Sequence, residues 1–269
     1  MAHVQPVRDA GAAAPLHGAT LILTRSAGTA RTEARRVQAL GGKPLPLPGT
    51  RLAPPADADA ARAALQAALR ASVCIFVSPA AVRAAARLLP LRQNRGSRML
   101  AVGAATARAL ARCGLRDAQV PARADSEGLL AMPALNPPPP RVGLVGAPGG
   151  RSLLPDTLAG RGAQVLRAEV YRRQPPRLDR RHRTALARAR MPLYVLLSSG
   201  EALQNLLHAL PEAARTRLLA ACAIASSTRL AQAARTAGFA RVETAASALT
   251  DAMIAAAVRV HRADRRRHG

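Results

Sequence analysis

Aromatic side chains are almost missing from this sequence: two Phe, two Tyr and no Trp make up 1% of 269 residues. Single-stranded nucleic acid is held largely by stacking on aromatic rings, so that mode of binding has little to work with here. Ala, Leu and Val must fill the cores instead, which suits helices covering parallel sheets better than an aromatic-rich sandwich. Acidic residues are also few, 15 Asp and Glu against 40 Lys and Arg, which argues against metal-dependent chemistry built on carboxylates. Lysine is nearly absent: Lys43 is the only one, and arginine replaces it along the whole chain, as GC-rich coding would produce. The arginines are spread out rather than gathered on one recognition helix, so the formal charge of +25 does not by itself indicate a nucleic-acid partner. A polyanionic small molecule would be attracted equally well.

Cysteine is scarce and odd in number. Cys74, Cys113 and Cys222 form no CxxC pair and have no His at ligand spacing, so they read as small core residues in a reducing compartment. No uncharged apolar run approaches a membrane span, and residues 1–18 contain Arg8 and Asp9 but no continuous apolar stretch. The expectation is a cytoplasmic protein with neither a membrane nor a nucleic-acid partner.

What is present is a 49% hydrophobic chain long enough for two cores. Short apolar runs alternate with helical stretches: Leu21–Leu23, Val73–Val77, Met99–Val102, Val142–Val145, Gln164–Tyr171, Leu193–Leu197, Cys222–Ala225 and Val242–Ala245 read as strands. That order implies parallel sheets with crossover helices. Two proline-rich stretches, Pro44–Pro48 with Pro54-Pro55 and then Pro175-Pro176, read as extended crossings rather than central strands.

The chain also repeats itself. Phe76-Val77-Ser78 matches Leu197-Ser198-Ser199, and Ala101 to Thr106 matches Ala223 to Thr228 at nearly the same spacing. The run from Leu21 through Gly42 to Leu47 resembles the run from Gly143 through Gly162 to Val170. In one half the second motif precedes the first, and in the other half it follows. The simplest solution is an inserted domain: residues 19–48 plus 172–260 form domain one, residues 52–171 form domain two, and 1–18 and 261–269 are expected to be disordered tails. The fold class expected is α/β, two parallel-sheet domains, one inserted in the other, joined by a two-stranded linker, with the functional cleft between them.

Ligands of open α/β sheets bind beyond the carboxyl ends of the strands. Thr24, Ser78, Gly103, Gly146 and Ser199 fall there, with Thr106 and Thr228 in the first turns of the following helices. Exposed N–H groups at such helix starts favour carboxylates or phosphates. Each Ser or Thr singly reads as a helix cap, and its recurrence in both halves raises the functional reading. Arg25 and Arg151 adjoin these turns and could pair with carboxylates. Gly146–Gly150 lacks the lysine of a P-loop and the spacing of a dinucleotide fingerprint. Tyr171, one of two tyrosines, lies where the chain leaves domain two, and could either pack the crossing or offer a hydroxyl.

Taken in order, Leu23-Thr24-Arg25, Phe76-Val77-Ser78-Pro79, Ala101-Val102-Gly103 with Thr106, Ser126-Glu127-Gly128-Leu129-Leu130, Gly149-Gly150-Arg151, Arg161-Gly162-Ala163, Val170-Tyr171-Arg172-Arg173, Ser199-Gly200-Glu201 and Gly238-Phe239 resemble the uroporphyrinogen-III synthase family over about 20–258. The sequence departs from the family at Val77 and Ser198, where Thr often stands, and at Ala80, where a polar residue is common. The resemblance implies a hydro-lyase that needs no cofactor or metal and closes hydroxymethylbilane, a linear tetrapyrrole, with inversion of ring D through a spiro intermediate. It implies Tyr171 as the group assisting departure of the hydroxyl. Thr24, Arg25, Ser78, Gly103, Thr106, Ser126, Arg151, Ser199 and Thr228 are expected to bind the substrate. A monomer in transient contact with the upstream hydroxymethylbilane synthase is expected. The competing readings are a non-catalytic two-domain ligand-binding protein of the same fold, and a basic nucleic-acid-binding protein whose retention on DNA would depend on salt.

Overall fold

In the computed structural model, residues 14–94, 96–149 and 152–268 are described. The chain opens with Thr20–Leu23 (β1), Ala27–Ala39 (α1) and Lys43–Pro46 (β2). It continues through Arg51–Ala53 (β3), Ala58–Arg70 (α2), Val73–Phe76 (β4), Pro79–Leu88 (α3), Arg98–Ala101 (β5), Ala104–Arg112 (α4) and Ser126–Leu130 (α5). Arg141–Gly146 (β6), Leu153–Gly160 (α6), Gln164–Glu169 (β7) and Arg172–Gln174 (β8) follow. The last stretch holds Arg180–Ala187 (α7), Leu193–Leu197 (β9), Gly200–Ala209 (α8), Glu212–Leu219 (α9), Cys222–Ala225 (β10), Thr228–Thr236 (α10), Arg241–Thr244 (β11) and Thr250–His268 (α11).

Contacts divide the chain into two compact units, residues 1–51 with 175–269, and residues 52–174. The fold class is α/β, two flavodoxin-like parallel-sheet domains with one inserted in the other. The first unit carries a sheet in the order β2-β1-β9-β10-β11 and the inserted unit one in the order β7-β6-β4-β5, with all neighbouring strands in both sheets parallel. A two-stranded ribbon of β3 and β8 lies where the chain passes from one unit to the other, so the second boundary falls at Pro175 rather than Arg172.

The central strands are apolar because both faces of each sheet are covered. In the first unit, Ile22, Leu193, Val195 and Leu197 join one core, while Leu21, Leu23, Tyr194 and Leu196 join the other, the period of two that a strand imposes. In the inserted unit α2 starts on an Asp57 cap, which accepts from the N–H groups of Asp59 and Ala60, and it buries Ala61, Leu65, Ala68 and Leu69 on one stripe. It lies so close to β6 that a side-chain carbon at Gly143 would collide with the Ala68 carbonyl oxygen. Only glycine fits there.

The proline stretch 44–48 is not a free crossing: its first part is β2, the edge strand of the five-stranded sheet. The N–H groups of Lys43 and Leu47 point to β1, donating to Ala19 and Leu23 carbonyls at 2.8 and 2.9 Å. Residues 44 and 46 therefore present their nitrogens to the open side, and both are proline. An edge strand tolerates proline only in that phase.

The expected tails are partly ordered. Residues 1–13 lie outside the described part, but Leu16 is fully buried and its N–H donates to the Leu40 carbonyl at 2.8 Å. At the other end α11 runs on to His268, past the expected end of the domain. The reason is a polar cluster. Tyr194 Oη, on the central strand β9, donates to Asp264 Oδ2 at 3.0 Å and lies 3.2 Å from His261 Nδ1, while Arg241 pairs with Asp264 at 2.7 Å. His261 Nε2 lies 3.1 Å from the His17 carbonyl oxygen, which ties both ends of the described chain to one sheet.

Candidate functional site

A topological switch point lies in each sheet between the strands from which the order runs both ways, β1 and β9 in the first unit, β6 and β4 in the inserted one. Strand register makes the two sheets comparable residue by residue. Leu197 pairs with Ala225 as Phe76 pairs with Ala101, and Leu23 pairs with Leu196 as Leu144 pairs with Ile75. Thus β9 corresponds to β4, β10 to β5, β1 to β6 and β2 to β7, so the inserted unit is a circular permutation of the other.

At the carboxyl edge of the inserted unit, Ser78 caps α3, accepting from the Ala81 N–H at 3.0 Å. Its Oγ also lies 3.5 Å from Tyr171 Oη. Tyr171 follows β7 and is 6% exposed, packed in the core that holds Phe76, Ala101 and Val145. Two hydroxyls from distant parts of the chain thus meet at one sheet edge. Gly103 caps α4 with extended backbone and lies against Ala124, where a side-chain carbon would approach the Ala124 Cβ to 2.9 Å. Ser126 opens α5, but the cap is Asp125, which accepts from the Gly128 N–H at 2.8 Å. Arg151 and Gly150 lie outside the described residues.

At the corresponding edge of the first unit the chemistry is ionic. Arg25 Nε donates to Ser198 Oγ at 3.1 Å and pairs with Glu33 Oε1 at 3.1 Å, and one Nη donates to the Ala248 carbonyl. Glu33 is 1% exposed. Burial pushes its carboxyl above the ordinary value, and Arg25 and the Thr250 hydroxyl pull the other way without cancelling it. Its Oε2 is buried with no hydrogen-bond partner among the described residues. Ser199 caps α8, accepting from the Ala202 N–H at 3.3 Å.

Two residues expected to touch a ligand, Thr24 and Thr106, are buried instead. Thr24 is buried, and its hydroxyl donates to the Leu196 carbonyl at 2.6 Å, pinning β1 to β9. Thr106 is 1% exposed, in the third position of α4, with almost no surface to offer. Thr228 is exposed at the first position of α10, after the cap Ser227. By register its counterpart is Ala104, and that of Thr106 is Leu230; the expected match of the two threonines slips by two residues. Ser78 and Ser199, by contrast, coincide. Sequence reasoning missed Glu33 and Ser198 as parts of the first edge; the signal available for Glu33 was a lone acid within an arginine-rich helix.

Among the described residues no three His, Cys, Asp or Glu side chains gather closely enough to hold a metal ion, and no helix is long and apolar enough to cross a membrane. Burial pushes the Cys74 thiol up to about 12 and Cys222 up to about 11, so both stay protonated near neutrality. A groove of about 670 Å³ runs along β2 and α7, lined by Lys43, Pro44, Arg180 and Arg181, and shares no residue with either switch point.

The sequence model of the family described as uroporphyrinogen-III synthase HemD matches residues 32–255. The uroporphyrinogen-III synthase of Escherichia coli (strain K12) is 36% identical over 100 residues, 37% of this chain and 41% of that protein. The Salmonella typhimurium (strain LT2) enzyme of the same name is 34% identical over 129 residues, 47% of this chain and 52% of that one. The chain thus aligns with about half or less of the length of these relatives. Among solved structures, uroporphyrinogen-III synthetase from Helicobacter pylori 26695 superposes with a TM-score of 0.56 at 14% identity, covering 90% of this chain and 99% of that one. A mutant uroporphyrinogen III synthase from the extremely thermophilic bacterium Thermus thermophilus gives 0.52 at 21% identity, covering 91% and 99%. These two likenesses establish the shared fold.

Proposed function

The chain belongs to the uroporphyrinogen-III synthase HemD family, and from that premise we propose that it closes hydroxymethylbilane to uroporphyrinogen III with inversion of ring D. The observation that carries the reading, beyond family membership, is the approach of the Tyr171 and Ser78 hydroxyls at the carboxyl edge of the inserted sheet. The reaction needs a proton at one moment and control of shape throughout.

Tyr171 Oη donates a proton to the departing hydroxyl on the ring A methylene. Water leaves as the pyrrole nitrogen's electron pair moves toward that carbon, producing an electrophile. The substituted α-carbon of ring D attacks it and gives the spiro intermediate. Cleavage of the older bond and attack by the other α-carbon of ring D close the inverted macrocycle, and the proton lost from that carbon restores the balance. Ser78 positions the tyrosine hydroxyl. A general acid of this kind contributes about 10²–10⁴ in rate.

The rest of the task is to hold a flexible eight-carboxylate chain in one folded shape and so prevent the uninverted closure that occurs in solution. Arg25, Ser199, Thr228 and Ser126, with the N–H groups at the starts of the nearby helices, take the carboxylates; Arg151 is assigned to the same task. Gly103 permits close backbone approach, and Thr24 and Thr106 act from within, by holding strand and helix. No cofactor enters the scheme. A cytoplasmic monomer in brief contact with the upstream synthase suits a substrate that cyclises unaided.

The test is isomer analysis of the porphyrin formed from hydroxymethylbilane. Isomer III in excess of the protein-free control supports the reading. Isomer I alone sinks it and favours the non-catalytic binding protein.

A further inference from the structure

Among the described residues of the first unit, Glu33 is a buried acid with an unpartnered oxygen. Buried carboxylates are ordinarily satisfied on both oxygens. Here Oε1 takes Arg25 Nε at 3.1 Å and the Thr250 hydroxyl at 3.5 Å, while Oε2, equally buried, has no hydrogen-bond partner among the described residues. Its position is not incidental. Glu33 lies on α1 and reaches the arginine that follows β1, at the switch point where open α/β sheets take their ligands.

Arg25 itself is only partly engaged. Its side chain is 22% exposed, Nε is shared between Glu33 and Ser198, one Nη holds the Ala248 carbonyl, and the other makes no hydrogen bond among the described residues. The loop carrying Ala248 continues into Leu249, an apolar side chain 66% exposed. A guanidinium with one Nη still to be used beside an exposed leucine suits an anionic, otherwise apolar ligand such as a pyrrole bearing a carboxylate arm. The other charged groups next to Glu33 are Arg36, one turn along α1, and Asp251 at the start of α11; these pair with each other at 3.2 Å. Ser198, the residue after β9, is the neutral group that shares Arg25 Nε with Glu33.

A ligand carboxylate arriving at Arg25 therefore meets a second carboxylate already there. Two carboxylates sharing one cation cannot both stay ionised in a buried site, and one takes up a proton. The ligand's carboxylate reaches solvent, whereas Glu33 is sealed and has a bare oxygen to receive the proton. We infer that Glu33 is a proton-taking counter-ion: it neutralises Arg25 in the free protein and binds one proton from solvent at Oε2 when a substrate carboxylate replaces it on Arg25. Binding becomes tighter as pH falls and weaker as pH rises through the bound-state value of Glu33. The inference rests on the proposed substrate class, and it assigns Glu33 a positioning role rather than a catalytic one.

The probe is uroporphyrin III, a stable octacarboxylate, titrated calorimetrically into the full-length protein in two buffers of different ionisation enthalpy. Wild type should take up several tenths of a proton or more per ligand, with affinity falling by up to about tenfold per pH unit, the ceiling for one proton. Glu33→Gln should abolish the uptake and flatten the pH slope. Equal uptake in wild type and a folded Glu33→Gln protein overturns the inference. Should that variant not fold, infrared difference spectra of ¹³C-glutamate-labelled wild type decide: a carboxylic acid band must grow at the expense of a carboxylate band on binding, and its absence overturns the inference. Formation of isomer III is scored separately. Inactive wild type sinks the proposed reaction, whereas active wild type without proton uptake sinks only this inference.

Discussion

The two sheets share a topology up to permutation and differ in what stands at the same place. By register Arg25 corresponds to Gly146, and Ser198 to Val77. In the first unit these positions make a polar contact, Nε to Oγ at 3.1 Å. In the inserted unit a side-chain carbon at Gly146 would lie 2.8 Å from Val77 Cγ2, so the two segments close on each other with no room for such a side chain. Beside this apolar closure sit the neutral hydroxyls of Ser78 and Tyr171. One edge thus gathers an ion pair and the other a pair of hydroxyls.

The sharpest way to break the comparison is at Tyr171. Tyr171→Phe should lower kcat by about a hundredfold or more while leaving thermal unfolding nearly unchanged, as expected for loss of a general acid. Full activity in the folded variant would remove the hydroxyl from the mechanism.

At the ionic edge the larger effect is on stability. Arg25→Met leaves the Glu33 carboxylate buried without its cation and should destabilise by about 2–3 kcal/mol near neutral pH, read as a lowered denaturant midpoint. The sign with pH is fixed by the raised Glu33 value. A carboxyl whose folded value lies above its unfolded value contributes stability that is complete below the unfolded value and lost as pH rises through the folded one. Removing Arg25 raises the folded value further, so the deficit should shrink as pH is lowered. A deficit that grows on acidification contradicts the pairing.

The smallest effect separates shared architecture from divided chemistry. Ser78→Ala and Ser199→Ala each remove a helix cap and should cost about 1 kcal/mol. Only Ser78→Ala should also depress kcat, because only Ser78 adjoins the tyrosine hydroxyl. Equal kinetic losses in both variants would mean that the two edges are not specialised as described.

Much of the frame was legible in the sequence, for reasons that particular residues make plain. Strands such as Val73–Phe76 and Leu193–Leu197 are buried throughout and made mostly of large hydrophobic side chains, and serines at matching distance after them mark the same turn. The pairing of Thr106 with Thr228 failed because these turns are rich in Ala and Ser. A hydroxyl match can slide along them, whereas strand register is set by backbone hydrogen bonds that composition does not reveal. The Arg25–Glu33 pair was hidden because α1 carries three arginines that could each partner its one acid locally, and nothing in the pattern points that acid at Arg25 instead. The order of α11 past residue 260 was hidden for a different reason: Tyr194 and Asp264 are 70 residues apart, and only the folded sheet brings them together.

The prolines of β2 have a consequence during synthesis. Thr24 and the Leu196 carbonyl it binds are 172 residues apart, so at ~5–20 residues per second β1 waits on the order of 10–30 s for β9. Throughout that wait the nascent β1–α1–β2 piece would offer two open flanks for mispairing with other chains. With no N–H at positions 44 and 46, the outer flank has no donors to offer. The half-built sheet is left with a single sticky side, the one reserved for its own late-arriving strand.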